Sequence, residues 1–315
     1  MNTSWMKIQD LFNPANNSEE LMHIDLHVHS NFSDDADFSP SALVDRAISK
    51  GVDLLAVADH NTAAGVNEAI AYSKHKPIRI IPAIEIDSIH QGVNLHILGY
   101  FINPDDPAFI QTRQFYFDQE KLASTELVRL VEKEGIFINH TKLAGLERNG
   151  VVTGEMIAEC AINEPENEHL ALLEPYRAGG TRSDNPFVNF YWDFCAQGKP
   201  AYVPLRYLDL EEVVRMIISS GGIAILAHPG LNVHEDQSLL ESILVSGVSG
   251  LEIFSSYHNA NQIAFYSTFV KTHRCFFTCG SDFHGKTKPA IEIGWMKIPG
   301  MDEAEIRSFL DRQLR

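Results

Sequence analysis

The chain has 315 residues, 44% hydrophobic and 21% charged, with a formal net charge of −17. This is an ordinary globular composition, long enough to bury one barrel-sized α/β core or two smaller ones. So acidic a chain is not a general binder of long or duplex nucleic acid, which requires many Lys and Arg against phosphates. No apolar run approaches the ~20 residues of a membrane span, and the start MNTSWMKIQDLFNPANNSEE has no secretory pattern. No membrane partner is therefore expected, and the cytoplasm is the expected compartment. Cys160, Cys195, Cys275 and Cys279 are too few and scattered for a disulfide framework.

In chain order, residues 1–21 are read as an N-terminal arm. HIDLHVHSNFSDD (23–35) then alternates polar and apolar residues, the signature of a strand with His23, Asp25, His27 and His29 on one face. Ser39-Pro40 predicts a helix start and Gly51 its stop. DLLAVAD, IRIIPAIE, NLHILGYF, GGIAILAHPG, SGLEIFSS and RCFFTCGSDF read as further strands, most separated by helical patterns, which predicts βαβ units and a parallel sheet. Residues 104–200 break this rhythm with a long helical stretch, short helices and the aromatic run NPFVNFYWDFCAQGKP. The expected organisation is thus a barrel over 22–103 and 201–315, interrupted by a mainly helical insertion over 104–200. Phe187, Phe190, Tyr191, Trp192 and Phe194 are spaced as a core stripe of that insertion, with at most one ring free to stack on a base.

Acids and histidines recur at the ends of the apolar runs: His27 and His29, Asp59 and His60, Glu85, His228, then Asp282 and His284, with His96 inside its run. Strand ends of a parallel α/β fold meet around one pocket. Carboxylates and neutral imidazoles delivered there by several strands are what a polynuclear metal site needs.

DLHVHSNFSDD, VADHNT, AIEI, HILGY, AHPG and GSDFHG together resemble the successive signatures of the PHP (polymerase and histidinol phosphatase) superfamily. The likeness covers about residues 23–101 and 199–286. It is nearest to stand-alone phosphoesterases that act on nucleoside 3′,5′-bisphosphates or on the 5′ ends of short RNA. The resemblance implies a distorted (β/α)7 TIM-like barrel with three divalent ions, Mn, Zn or Fe. It implies that His27, His29, Glu85 and Asp282 hold one ion and Asp34, His60 and His284 a second. Glu85 would bridge to a third, held by His96 and His228. Two acids compete at one position, because Asp35 follows Asp34 where relatives have Gly. Asp25 and Asp59 are expected to support the ligands.

The reaction expected is hydrolysis of a phosphate monoester by a hydroxide held between two ions, on a small nucleotide bisphosphate or short oligonucleotide. His258 is the expected leaving-group acid, and Arg177, Arg182, Arg206 and Lys286 are the expected phosphate clamps, with Arg182 and Lys286 foremost. The competing readings are a histidinol-phosphate-type phosphatase, an amidohydrolase-like C–N or C–O hydrolase, and a non-catalytic metal-binding module.

Overall fold

A computed structural model describes residues 23–294. The expected arm over 1–21 and the end of the expected 201–315 segment lie outside the described residues. Strand β1 (Ile24–Val28) is followed by α1 (Pro40–Ser49), β2 (Leu54–Val57), α2 (Val66–Ser73) and the hairpin β3 (Arg79–His90) and β4 (Val93–Tyr100). Helices α3 (Pro107–Lys133), α4 (His140–Leu146), α5 (Gly154–Ala161) and α6 (Pro186–Phe190) come next. The chain returns through β5 (Leu208–Asp209), α7 (Leu210–Ser219), β6 (Ile223–Leu226), α8 (Pro229–Asn232), α9 (Gln237–Val245), β7 (Gly250–Ser255), α10 (Ala260–His273) and β8 (Phe276–Gly280).

The sheet runs β1-β2-β3-β4-β6-β7-β8, with β5 appended to β3. It nearly closes on itself: Val28 bridges Phe283, His29 N–H donates to the Phe283 carbonyl at 2.9 Å, and Asp282 N–H to the His27 carbonyl at 2.7 Å. The fold is therefore an α/β barrel with helices outside. Ser39 caps α1 by accepting from Ala42 N–H, ahead of Pro40, as Ser-Pro at a helix start should.

Two local features depart from the regular parallel pattern. Strand β4 runs antiparallel to both β3 and β6. The two-residue link Gln91-Gly92, with φ of +49° and +80°, makes the tight left-handed turn of a hairpin and leaves no room for a crossover helix. In β1 the register against β2 shifts between Asp25 and Val28. As a result Leu26 packs in the core with Leu54, Ala56 and Ala83, whereas Val28 packs with Leu43 and Val44 of α1. The alternation expected over 23–29 does not survive this bulge: His27 and His29 face the barrel mouth, and Asp25 turns away to accept from the N–H groups of Ser281 and Gly294 at 2.9 and 2.8 Å.

The insertion has its own apolar core, containing Ile136, Ile157, Leu173 and Phe190. Helix α3 belongs to both units. Phe109 and Tyr116 in its first half pack in the barrel's largest core, and Val131 near its end packs in the insertion. No described helix is long and apolar enough to cross a membrane.

Candidate metal centre

The strand ends deliver a compact set of buried donors. Glu85 is fully buried, and its Oε2 lies 3.2 Å from His27 Nε2, 3.3 Å from His29 Nε2 and 3.2 Å from His60 Nδ1. Its Oε1 lies 3.2 Å from both His96 Nδ1 and His228 Nε2. Asp282 Oδ1 is 3.4 Å from His27 Nε2 and 3.0 Å from His29 Nε2. Asp35 Oδ2 is 3.1 Å from His284 Nε2 and 3.8 Å from His60 Nε2. The donors group as His27, His29, Glu85 and Asp282; as His29, His60 and His284; and as His60, Glu85 and His96.

These residues fit divalent cations. The Nε2 atoms of His27, His29 and His284, His60 Nδ1, Glu85 Oε2 and Asp282 Oδ1 are all buried without a hydrogen-bond partner, an arrangement too costly to stand unless something else occupies the space between them. Ligands about 2.1 Å from a cation stand roughly 3.0–3.4 Å apart along a polyhedron edge, the spacing seen here. The protonation states point the same way. Burial and the imidazoles of His284 and His60 push the pKa of His29 down to about 3, leaving the neutral ring that coordinates metal. Burial also acts to lower His96, but Glu85 and Asp87 outweigh it and raise its pKa to about 9. The carboxylates thus draw a proton where a cation belongs.

Backbone and neighbours hold the donors in place. Asn61, His228 and Asp282 sit at φ of +59°, +23° and +56°, left-handed conformations that non-glycine residues adopt where a site demands them. Asp59 accepts from Ser30 N–H at 2.6 Å, Ser30 Oγ at 2.7 Å and Ser33 Oγ at 3.0 Å, and Ser33 Oγ meets His29 Nδ1 at 3.1 Å. Glu252, absent from the expected set, is fully buried in mid-strand. Its Oε1 holds His27 Nδ1 at 3.0 Å, and its Oε2 accepts from His228 N–H at 2.9 Å. A carboxylate within the apolar run SGLEIF was its signal. Gly280 makes this packing possible, since a Cβ there would lie 2.2 Å from His27 Cβ.

The structure relocates several expected roles. Asp35, not Asp34, approaches His60 and His284; Asp34 pairs with Arg113 at 2.9 Å. Arg148 from the insertion holds this loop open by donating to the carbonyls of Ser33 and Ala36, both at 2.7 Å. His258 is not exposed to a substrate: its Nδ1 donates to the Ile253 carbonyl at 2.7 Å and its Nε2 accepts from Gly230 N–H at 2.9 Å. It pins the turn after His228 and has no nitrogen left for catalysis. Arg177 caps carbonyls of Ile162, Asn167 and Glu168. Arg182 is ion-paired with Asp193 at 2.7 Å. Arg206 rests over the Phe115 ring at 5.9 Å, and Lys286 reaches Glu159 at 2.9 Å. Each of these four cations lies outside the lining of the cavity above the donors, which has a volume of about 220 Å³.

The cations that do line that cavity are Arg113 and Lys288. Lys288 is buried, its Nζ 2.6 Å from Asp282 Oδ2 and 5.1 Å from the centre of the Tyr257 ring. Asp87, two residues beyond Glu85 on the same strand face, was also missed; it lines the cavity with Oδ1 3.5 Å from His96 Nε2.

Comparison with known proteins finds relatives over most of the chain. The chain is 27% identical over 283 residues to a 3′,5′-nucleoside bisphosphate phosphatase of Chromobacterium violaceum, covering 87% of this chain and 91% of that one. It is 28% identical over 279 residues to a 5′-3′ exoribonuclease of Haemophilus influenzae, covering 87% and 92%. It is 27% identical over 278 residues to a phosphoribosyl 1,2-cyclic phosphate 1,2-diphosphodiesterase of Eggerthella lenta, covering 87% and 98%. A solved structure described as an amidohydrolase from Chromobacterium violaceum, with bound sulfate and no metal, superposes with a TM-score of 0.70 at 25% identity over 92% of this chain and 96% of that one. One from Bifidobacterium adolescentis shares the fold, with a TM-score of 0.67 at 24% identity over 94% and 98%. The PHP domain model matches residues 25–203, more than half of the sequence, and the chain belongs to the PHP domain family.

Proposed function

We propose that the protein is a metal-dependent phosphoesterase that removes a phosphoryl group from a nucleotide, such as a nucleoside bisphosphate, or from a very short RNA. The observation that carries this reading is the set of buried, unpartnered donors 3.0–3.4 Å apart at the barrel mouth. In the full form of the proposal, three divalent ions of the Mn, Zn or Fe class would be held by His27, His29, Asp35, His60, Glu85, His96, His228, Asp282 and His284. Such ions, when bound, supply an activated water and neutralise charge that gathers on the phosphoryl oxygens.

The chain's own groups do the rest. Glu85 presents one oxygen to the His27, His29 and His60 side and the other to His96 and His228. Lys288, fixed by Asp282 Oδ2, turns its remaining N–H donors to the non-bridging oxygens, stabilising charge as it builds. Since His258 is fully engaged, the leaving oxygen takes its proton from a group lining the cavity. The cytoplasm remains the compartment we propose.

Metal analysis of the purified protein, joined to a phosphate-release screen over nucleoside bisphosphates, monophosphates, di- to pentanucleotides, ribose phosphates and histidinol phosphate, tests the reading. Phosphate release that needs divalent ions and favours nucleotides is the expected result. Hydrolysis confined to lactones or amides would transfer the assignment to C–O or C–N bonds.

A further inference from the structure

We propose that the insertion and the segment leading back to the barrel form a ring-stacking subsite centred on Trp192, so the substrate carries a planar heteroaromatic ring beside its phosphate. The proposal rests on the phosphoesterase reading above and narrows its substrate to nucleoside phosphates over plain sugar phosphates.

Two observations carry it. The cavity that contains His60, His96 and Asp282 is also lined by Leu127, Val188, Tyr191, Trp192, Tyr202 and Tyr207. Phosphoryl transfer makes no use of an apolar, aromatic wall, whereas a nucleobase has two π-faces to cover.

The second observation is how the chain aims these rings. Helix α6 passes into a π turn over Tyr191–Cys195, a wider turn that changes the direction of successive side chains and recurs at functional sites. Phe190 and Phe194 stack on each other at 4.6 Å and pack in the insertion's core. Tyr191 and Trp192, at the start of the widened turn, line the cavity, Tyr191 edge-on to Trp192 at 5.3 Å and also packed against the insertion's core. The expected core stripe is thus divided between core and cavity.

Equilibrium dialysis of adenosine against chelator-treated protein tests the subsite without metal or turnover. Adenosine should bind wild type, bind Trp192→Leu about tenfold more weakly, and regain most of its affinity with Trp192→Phe, which restores a stacking face. In the metal-loaded enzyme, Trp192→Leu should lower kcat/KM for adenosine monophosphate or bisphosphate about ten- to a hundredfold and leave ribose 5-phosphate within twofold. Equal losses on both substrates, or adenosine binding indifferent to Trp192→Leu, would overturn the subsite. Adenosine binding that depends on Trp192 with no phosphate released from any ester would instead overturn the hydrolytic reading and leave the ring subsite in place.

Discussion

The two walls of the cavity are built by opposite rules. The barrel wall crowds ionisable groups together, with His27, His29, Glu85, His228, Asp282 and His284 almost wholly buried and donor atoms left unpartnered. Its charges are organised around something absent from the chain itself. The insertion wall meets the cavity with an apolar and aromatic stretch, Leu127, Val188, Tyr191 and Trp192, beside a few charged groups, Arg113, Glu120 and Glu155. The insertion's two proposed phosphate clamps are spent locally, Arg177 on carbonyls and Arg182 on Asp193. The difference teaches that a buried charge without a partner marks chemistry, whereas an arginine with two or three good acceptors is already committed to architecture.

The hardest blow to this contrast is Glu85→Ala, which removes the carboxylate shared by both sides of the cluster. It should cut kcat/KM on the order of 10³-fold and lower the bound metal by more than one equivalent, measured by mass spectrometry on dialysed protein. Full metal content would show that Glu85 joins nothing. Next come the adjacent acids of the β1 loop. Asp35→Ala should lose about 10²-fold in kcat/KM together with metal, and Asp34→Ala less than about fivefold; reversed ranks would restore Asp34 as the ligand. Lys288→Met should cost about ten- to a hundredfold, the worth of a charge-assisted contact, while Lys286→Met, on the exposed partner of Glu159, stays near wild type. The smallest effect belongs to Arg182→Ala: kinetics within twofold and only a modest drop in thermal stability, since an ion pair with both side chains more than a third exposed contributes little. A large rise in KM would return Arg182 to the substrate.

The barrel and its ligands were legible because strand ends converge by rule, so a His or Asp that closes an apolar run has a predictable destination. Four kinds of feature were not. The β1 bulge cannot be read from alternation, which assumes an unbroken register, and it separated Asp25 from His27. Adjacent acids such as Asp34 and Asp35 differ only in the local turn, here set by Arg148 reaching across from the insertion. Lys288 answers to a ligand six residues back across an irregular loop and Glu252 to one at a separation of 225, so neither stands in a periodic pattern. The aromatic run showed its rings but not their division, because a π turn leaves no periodic mark.

The hairpin turn at Gln91-Gly92 also sets where this protein can change length. Its two-residue left-handed geometry fixes the pairing of Asp87 with His96 across the ladder, and one residue added or removed there would rotate His96 from the cluster to the outer face. About ten residues downstream, the same barrel accommodates about a hundred residues between β4 and β5, and every grouped donor comes from outside that segment. Variation in such a chain, natural or designed, therefore has a sharply uneven landscape. The turn can accept substitutions but not insertions, while the segment after Tyr100 is where new recognition surfaces can be grafted onto unchanged chemistry.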